Sequence, residues 1–119
     1  MKKIFYNKLV RDNIPSIIKE RGSRCFVKRL TKKSFEQALL KKVGEEALGM
    51  LAARTRRELI SELADVTDVL EEIKRLKKIS AREVAASQRA NFKRKGGFKK
   101  RLFLAWSSDD GYKSNESSK

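Results

Sequence analysis

Apolar residues recur every three or four positions through the middle of this chain, which is the spacing of one helix face. The pattern predicts one long helix from Thr31 or Lys33 to about Ala53, and a second from Glu58 to about Lys77. The apolar positions of the first are Phe35, Leu39, Val43, Ala47, Met50 and Leu51. Those of the second are Leu59, Leu63, Val66, Leu70, Ile73 and Leu76. Because the connection near residues 53–55 is very short, the two helices are predicted to pack antiparallel.

Capping signals mark where helices begin. Thr55 and Ser80 are each followed three residues later by a Glu, and both pairs fit the capping box, in which the two side chains satisfy free backbone N–H groups. A third helix is therefore predicted from Ser80 to about Arg94, where the two glycines at 96–97 end it.

The two ends of the chain are less regular. Pro15 predicts a helix of about two turns that ends at Gly22. Residues 25–30 alternate weakly and fit either a short strand or an extended arm. Residues 105–119 are polar and Ser-rich after Trp106, and are predicted to form a disordered tail behind a domain of residues 1–104. The predicted fold class is all-α: an antiparallel helical bundle of two long helices plus a third, with a short extended N-terminal segment.

Size and composition restrict the class of protein. With 119 residues and 39% hydrophobic residues, a helical domain buries a modest core, so we expect a homodimer or higher homo-oligomer to complete the bundle. No apolar run is long enough to span a bilayer, and the basic N-terminus lacks the apolar region of a secretory signal. A cytoplasmic location without a membrane partner is expected. The chain has no His and a single Cys25, so a metal here needs oxygen ligands.

Charge is distributed unevenly along the chain. The formal net charge is +15, yet residues 34–79 contain nine basic and nine acidic residues, so the excess lies in the two flanks. Such a charge attracts polyanions, including nucleic acid and nucleotides, at low salt. This is an argument about association and does not by itself assign a function.

Four acidic residues stand out against this background. Glu45 and Glu46 lie on the first long helix, and Glu62 and Asp65 share one face of the second at i and i+3. Both groups lie at similar distances from the turn, so they are predicted to face each other. Converging carboxylates repel unless a cation neutralises them, and Mg²⁺ holding a polyphosphate fits this arrangement. The alternative is a solvated acidic helix face.

Three ordered motifs extend this interpretation. The segment Asn-Lys-Leu-Val-Arg-Asp within residues 6–15, the two acidic helices, and the Gly-Gly-Phe segment of residues 96–104 resemble the MazG-like branch of the all-α nucleoside triphosphate pyrophosphohydrolases. This family is related to phosphoribosyl-ATP pyrophosphohydrolase, and the resemblance covers residues 6 to 104. It implies an Mg²⁺-dependent enzyme that splits a nucleoside triphosphate into the monophosphate and pyrophosphate, with Mn²⁺ as an alternative metal.

The family motif is Glu-Glu-x-x-Glu on one helix and Glu-x-x-Asp on the next. By this resemblance, Glu46, Glu62 and Asp65 are the metal ligands, and Glu45 has a catalytic role, either in orienting water or in the outer shell of the metal. The third Glu of the first motif is replaced by Gly49. Either another group, such as Asp68, Glu72 or water, takes its place, or the site has lost much of its metal affinity.

The basic residues of the motifs are assigned to the substrate phosphates. Lys8 and Arg11 match the N-terminal motif, and Lys100 and Arg101 adjoin the flexible glycines from which they can close over the phosphates. Asp12 is expected instead to pair with Arg11 or to cap the helix that follows.

The remaining basic and aromatic residues of the C-terminal region have simpler expected roles. Phe98, Phe103 and Trp106 are expected to pack, and Lys93, Arg94, Lys95 and Lys99 to form ordinary solvated surface. A rival function remains open: a catalytically weakened relative that binds nucleic acid or nucleotides, favoured by Gly49 and by the net charge of +15.

Overall fold

The computed structural model describes residues 2–111 of the chain. Its regular elements are four helices: α1 (Ile14–Glu20), α2 (Lys32–Ala52), α3 (Arg56–Lys77) and α4 (Ala81–Lys95). No strand occurs within residues 2–111, so the all-α prediction is confirmed and the strand alternative for residues 25–30 is wrong. Residues 105–111 contain no helix, and the rest of the predicted tail lies outside the described residues.

The helices begin where the capping signals predict. Thr55 Oγ1 accepts a hydrogen bond from the Glu58 N–H at 3.1 Å, and Ser80 Oγ accepts one from the Glu83 N–H at 3.1 Å. Glu83 Oε2 accepts from the Ser80 N–H at 2.7 Å, which completes the capping box at α4. At α3 the reciprocal bond is shifted by one residue, because Glu58 Oε2 accepts from the Arg54 N–H instead.

The chain divides into two compact units, Met1–Lys78 and Ile79–Lys119. The first contains α1, α2 and α3, and the second contains α4 and the segment after it. Within the first unit α2 and α3 pack against each other. The ion pair between Lys77 Nζ and Glu36 Oε1, at 3.0 Å, joins the end of α3 to the start of α2. The pair is therefore antiparallel, as its short connection predicts.

The core between α2 and α3 is thin. Leu39 is 3% exposed and is the one buried residue in the described part of the chain. Phe35, Val43, Val66 and Ile73 are half-buried around it. Other apolar positions of the helical pattern are exposed among residues 2–111. They are Ala47 and Leu51 on α2, and Leu59, Leu63 and Leu70 on α3.

The exposed leucines form two stripes. On α2, Leu40, Leu48 and Leu51 are exposed and share one face by helical spacing; on α3 the corresponding set is Leu59, Leu63 and Leu70. Among residues 2–111, none of the helices combines the length and apolar character needed to cross a membrane.

Candidate metal and phosphate site

Three carboxylates converge between α2 and α3. One oxygen each from Glu46, Glu62 and Asp65 lies within 4.8 Å of the other two, and all three residues are half-buried. Glu46 comes from α2, whereas Glu62 and Asp65 occupy successive turns of α3, so the antiparallel packing places them at one height. We call these three residues the acidic trio. Hard oxygen donors at this separation fit a divalent cation that keeps several waters, as Mg²⁺ does.

Electrostatics within the acidic trio disfavour three negative charges. The pKa of Glu62 is raised, first by desolvation, then by the charges of Glu46 and Asp65, by a hydrogen bond with Glu46 and by the charge of Glu58. The trio therefore gains from any positive charge that enters it, whether a proton or a metal ion.

Gly49 lies against the Glu62 carboxylate. A Cβ at position 49 would come within 2.8 Å of the Glu62 carboxyl carbon and 3.3 Å of Oε1. Position 49 thus faces the acidic trio, on the side where the family resemblance expects a further Glu. Asp68 and Glu72, the suggested replacements, have other partners: Asp68 pairs with Arg11, and Glu72 pairs with Arg75 on its own helix.

Arg11 reaches the acidic trio from the N-terminal segment. Its Nη2 donates to Asp65 Oδ1 at 2.9 Å and lies 2.8 Å from Asp68 Oδ2. These hydrogen bonds, that with Asp68 first, raise the pKa of Arg11 further. The expected pairing with Asp12 is replaced by these contacts, and the residue at the start of α1 is Asn13, which makes no side-chain cap.

Lys42 is a part of the site that the sequence patterns did not single out. Its ammonium group donates to the Leu9 carbonyl at 3.1 Å and lies 3.3 Å from Glu45 Oε2 and 3.7 Å from Glu46 Oε1. Lys42 fixes the N-terminal segment to α2, as Arg11 fixes it to α3. The i, i+3 and i, i+4 spacing to the two Glu residues is the signal that identifies such a lysine.

Glu45 and the predicted phosphate-binding cations are not members of the acidic trio. Glu45 is held by Lys42 and is not one of the three converging carboxylates. Lys8 lies with its Nζ 5.8 Å from the centre of the Tyr6 ring. Lys100 and Arg101 belong to the second unit and are exposed there. A phosphate-binding role for these basic residues stays a prediction.

Comparison of the chain with protein-family models, curated proteins and solved structures found no match. The resemblance to the MazG-like pyrophosphohydrolases therefore rests on the ordered motifs of the sequence. Membership of that family stays a prediction, and what the first unit shows is that the N-terminal segment contacts both acidic helices.

Proposed function

We propose that the protein is an Mg²⁺-dependent nucleoside triphosphate pyrophosphohydrolase that releases a nucleoside monophosphate and pyrophosphate. The observation that supports this most is the contact of Arg11 with Asp65, a member of the acidic trio, across 54 residues of sequence. Three carboxylates close enough to share one cation, with a guanidinium beside them, suit a metal-bound polyphosphate. The carboxylates bind the metal, and the guanidinium binds phosphate oxygens.

Each residue has a defined task in this proposal. Glu46, Glu62 and Asp65 hold the metal, which when bound polarises phosphate oxygens and lowers the pKa of a coordinated water. Mn²⁺ is an alternative to Mg²⁺, because it accepts the same oxygen ligands. Glu45, next to the trio, orients the attacking water as a hydrogen-bond acceptor.

The cations complete the substrate site. Lys8 and Arg11 of the first unit neutralise the charge that grows on the departing pyrophosphate, whereas the assignment of Lys100 and Arg101 to the phosphates stays a prediction from the sequence. Arg11 is well suited to this because its planar guanidinium can bind two phosphate oxygens at once. Its present contacts with Asp65 and Asp68 hold it at the edge of the trio before substrate arrives.

We also propose that the chain works as a homodimer or higher homo-oligomer. The exposed stripes Leu40, Leu48 and Leu51 on α2, and Leu59, Leu63 and Leu70 on α3, support this. Burying leucines releases free energy in proportion to the apolar area removed from water. In a single copy of the first unit both leucine stripes stay exposed to water, whereas a second copy can cover them.

A second candidate function is a weakened relative that binds nucleotides or nucleic acid with little turnover. Gly49 favours it, because the position that faces Glu62 brings no fourth carboxylate to the trio. Fewer charged ligands lower the affinity for a divalent cation and the rate that depends on it.

Product analysis tests the proposed function directly. The full chain is incubated with ATP, GTP, CTP, UTP and their deoxy forms in Mg²⁺ or Mn²⁺, and phosphorus NMR identifies the products. Monophosphate plus pyrophosphate supports the proposal, whereas diphosphate plus inorganic phosphate contradicts it. Nucleotide binding without either product supports the second candidate.

Matched variants on α3 locate the activity. Glu62→Gln and Asp65→Asn should reduce turnover roughly 100-fold, because each removes a charged metal ligand without changing side-chain size. Glu71→Gln removes a carboxylate of the same helix that pairs with Lys74, outside the trio, and should retain turnover. Equal turnover in all three variants would separate the activity from the acidic trio.

A further inference from the structure

The second unit contains a long stretch without negative charge. Between Glu83 and Asp109 the sequence has no acidic residue and seven basic ones: Arg89, Lys93, Arg94, Lys95, Lys99, Lys100 and Arg101. Five of these, Arg89, Lys93, Lys99, Lys100 and Arg101, have no ion-pair partner among residues 2–111. Their charges are therefore available to a polyanion.

Large aromatic side chains are interleaved with these cations. Phe98 is 95% exposed, Phe103 92% and Trp106 82%, so the expectation that these rings pack is wrong for the described chain. Phe92 is exposed as well. Gln88, Arg89 and Lys93 lie beside it on a shallow surface of α4. Exposed rings of this size lose a large hydrophobic stabilisation unless a partner covers them.

We propose that residues 89–106 form a binding surface for single-stranded nucleic acid. Phosphates contact the five unpaired cations, and bases stack on Phe98, Phe103 and Trp106. Aromatic rings and a positively charged track are the two components with which proteins bind single strands without sequence preference. The proposal concerns the second unit alone and does not depend on hydrolysis by the acidic trio.

The order of the residues favours a single strand over a duplex. Lys99, Lys100 and Arg101 lie between the rings of Phe98 and Phe103, so phosphate contacts and stacking contacts alternate along the segment. Stacking requires bases whose faces are open, and a duplex hides these faces between neighbouring pairs.

The same features make a membrane surface the weaker choice. Membrane-bound amphipathic helices present a broad apolar face with large side chains. Between Val84 and Phe92 the only apolar residues of α4 are alanines.

Trp106 provides a direct reporter, because it is the single tryptophan of the chain. A 20-nucleotide oligo(dT) or oligo(U) should quench its fluorescence when bases stack on the ring, with binding followed in parallel by anisotropy of a labelled oligonucleotide. Heparin, a polyanion without bases, should bind without this quenching. If all five cations contact phosphate, raising the salt from 50 to 200 mM should weaken binding roughly 100-fold.

Two kinds of variant separate stacking from charge. Phe98→Ala and Phe103→Ala should each weaken oligonucleotide binding roughly tenfold and leave its salt dependence unchanged. Arg89→Ala and Lys99→Ala should each reduce the slope of log affinity against log salt by about 0.7. Phe26→Ala and Lys28→Ala, at exposed positions of the first unit, are the matched controls and should change neither. Far-UV circular dichroism checks that each variant keeps its helices.

Three outcomes overturn the proposal. The first is unchanged affinity in both ring variants, and the second is heparin quenching Trp106 as strongly as the oligonucleotide does. The third is a ring-dependent affinity for phosphatidylserine vesicles with oligonucleotide binding unaffected by the ring variants, which would assign the surface to lipid. Asp65→Asn does not change residues 89–106, so the Asp65→Asn protein should bind the oligonucleotide as tightly as the unmodified protein does. This result is expected whether or not the protein hydrolyses triphosphates.

Discussion

Gly49 of α2 stands directly against the carboxylate of Glu62 on α3, so closely that any side chain at position 49 must displace it. Gly44, five residues earlier on the same helix, has open space around it. Both are helix-interior glycines, which generally cost about 0.5–1 kcal/mol relative to Ala. This difference in surroundings allows the helix effect and the site effect of position 49 to be measured separately.

Gly49→Glu should tighten Mg²⁺ or Mn²⁺ binding and raise, or create, triphosphate hydrolysis. The new carboxylate joins the acidic trio after the flexible Glu62 side chain shifts to make room for the Cβ at position 49, and the helix loses an unfavourable glycine. In the metal-free protein the gain in stability should be smaller, because a further negative charge enters a crowded site. Titration calorimetry with each metal and product assays measure the two effects.

The controls for position 49 are Gly49→Ala, Gly44→Ala and Gly44→Glu. Gly44→Ala should raise the free energy of unfolding by about 0.5–1 kcal/mol without changing metal affinity. Gly49→Ala should gain less, because its methyl group moves Glu62. If Gly49→Glu and Gly49→Ala bind metal and turn over substrate equally, the alignment of the metal motif is wrong.

Asp65→Asn should abolish the rise in melting temperature that Mg²⁺ causes. Asp65 is assigned as a ligand, and its amide analogue is a weaker donor without charge. The metal-free protein should keep its fold or have a slightly higher melting temperature, since one repulsive charge next to Glu62 is gone. Differential scanning fluorimetry with and without Mg²⁺ measures this, with Glu71→Gln as control. An unchanged Mg²⁺ response in Asp65→Asn would exclude Asp65 from the ligands.

Arg11→Ala should have opposite effects on metal binding and on catalysis. Without nucleotide, removal of the guanidinium from Asp65 should tighten Mg²⁺ binding by up to about fivefold, because an exposed ion pair contributes at most about 1 kcal/mol. With nucleotide, kcat/KM should fall, because a phosphate contact is lost. Lys8→Ala removes the same charge from the same segment and should leave metal affinity unchanged. Weaker metal binding in Arg11→Ala would mean that Arg11 supports the trio structurally.

The raised pKa of Glu62 predicts how stability depends on pH. In the folded, metal-free protein Glu62 binds its proton more tightly than in the unfolded chain, whose ordinary value is 4.5. Its contribution is therefore fully present below pH 4.5 and is lost as the pH rises through the raised folded-state pKa. The melting temperature should fall as the pH rises from 4.5 through the raised pKa of Glu62, and Glu62→Gln should remove this fall.

Glu72 and Glu83 titrate in the opposite direction and provide an internal control. Their pKa values are lowered, by the hydrogen bond with Arg75 and by hydrogen bonds with Ser80 respectively. Their stabilisation is present above pH 4.5 and disappears as the pH falls through the lowered values. The two windows lie on either side of pH 4.5, so a slope above it that survives in Glu62→Gln would contradict the assignment to Glu62.

The exposed leucine stripes predict an oligomer at micromolar concentration. Light scattering should give at least twice the chain mass of 13.7 kDa. Leu48→Glu combined with Leu63→Glu should shift the protein toward monomer, because two charges then enter the proposed contact. Val27→Glu, at an exposed position outside the stripes, is the control. A monodisperse monomer for the unmodified chain would exclude the oligomer.

The sequence by itself determined the helices, their starts and the meeting of the acidic residues. Helix periodicity and capping are local properties, since each depends on residues three or four positions apart. The convergence of Glu46 with Glu62 and Asp65 follows from the short turn between α2 and α3, which fixes the register of the pair. The spacing of residues along the chain was therefore enough to predict this long-range contact.

Only the tertiary structure decided which apolar residues are covered and what the cations contact. The helical pattern marks Leu39 and Leu63 alike as core positions, yet the packing of α2 on α3 buries the first and leaves the second exposed. Arg11 pairs with Asp65 and Asp68 and not with its neighbour Asp12. The reason is that the N-terminal segment, which Lys42 holds through the Leu9 carbonyl, contacts both helices. Such choices depend on how separate elements are placed in space, and spacing along the chain does not specify that placement.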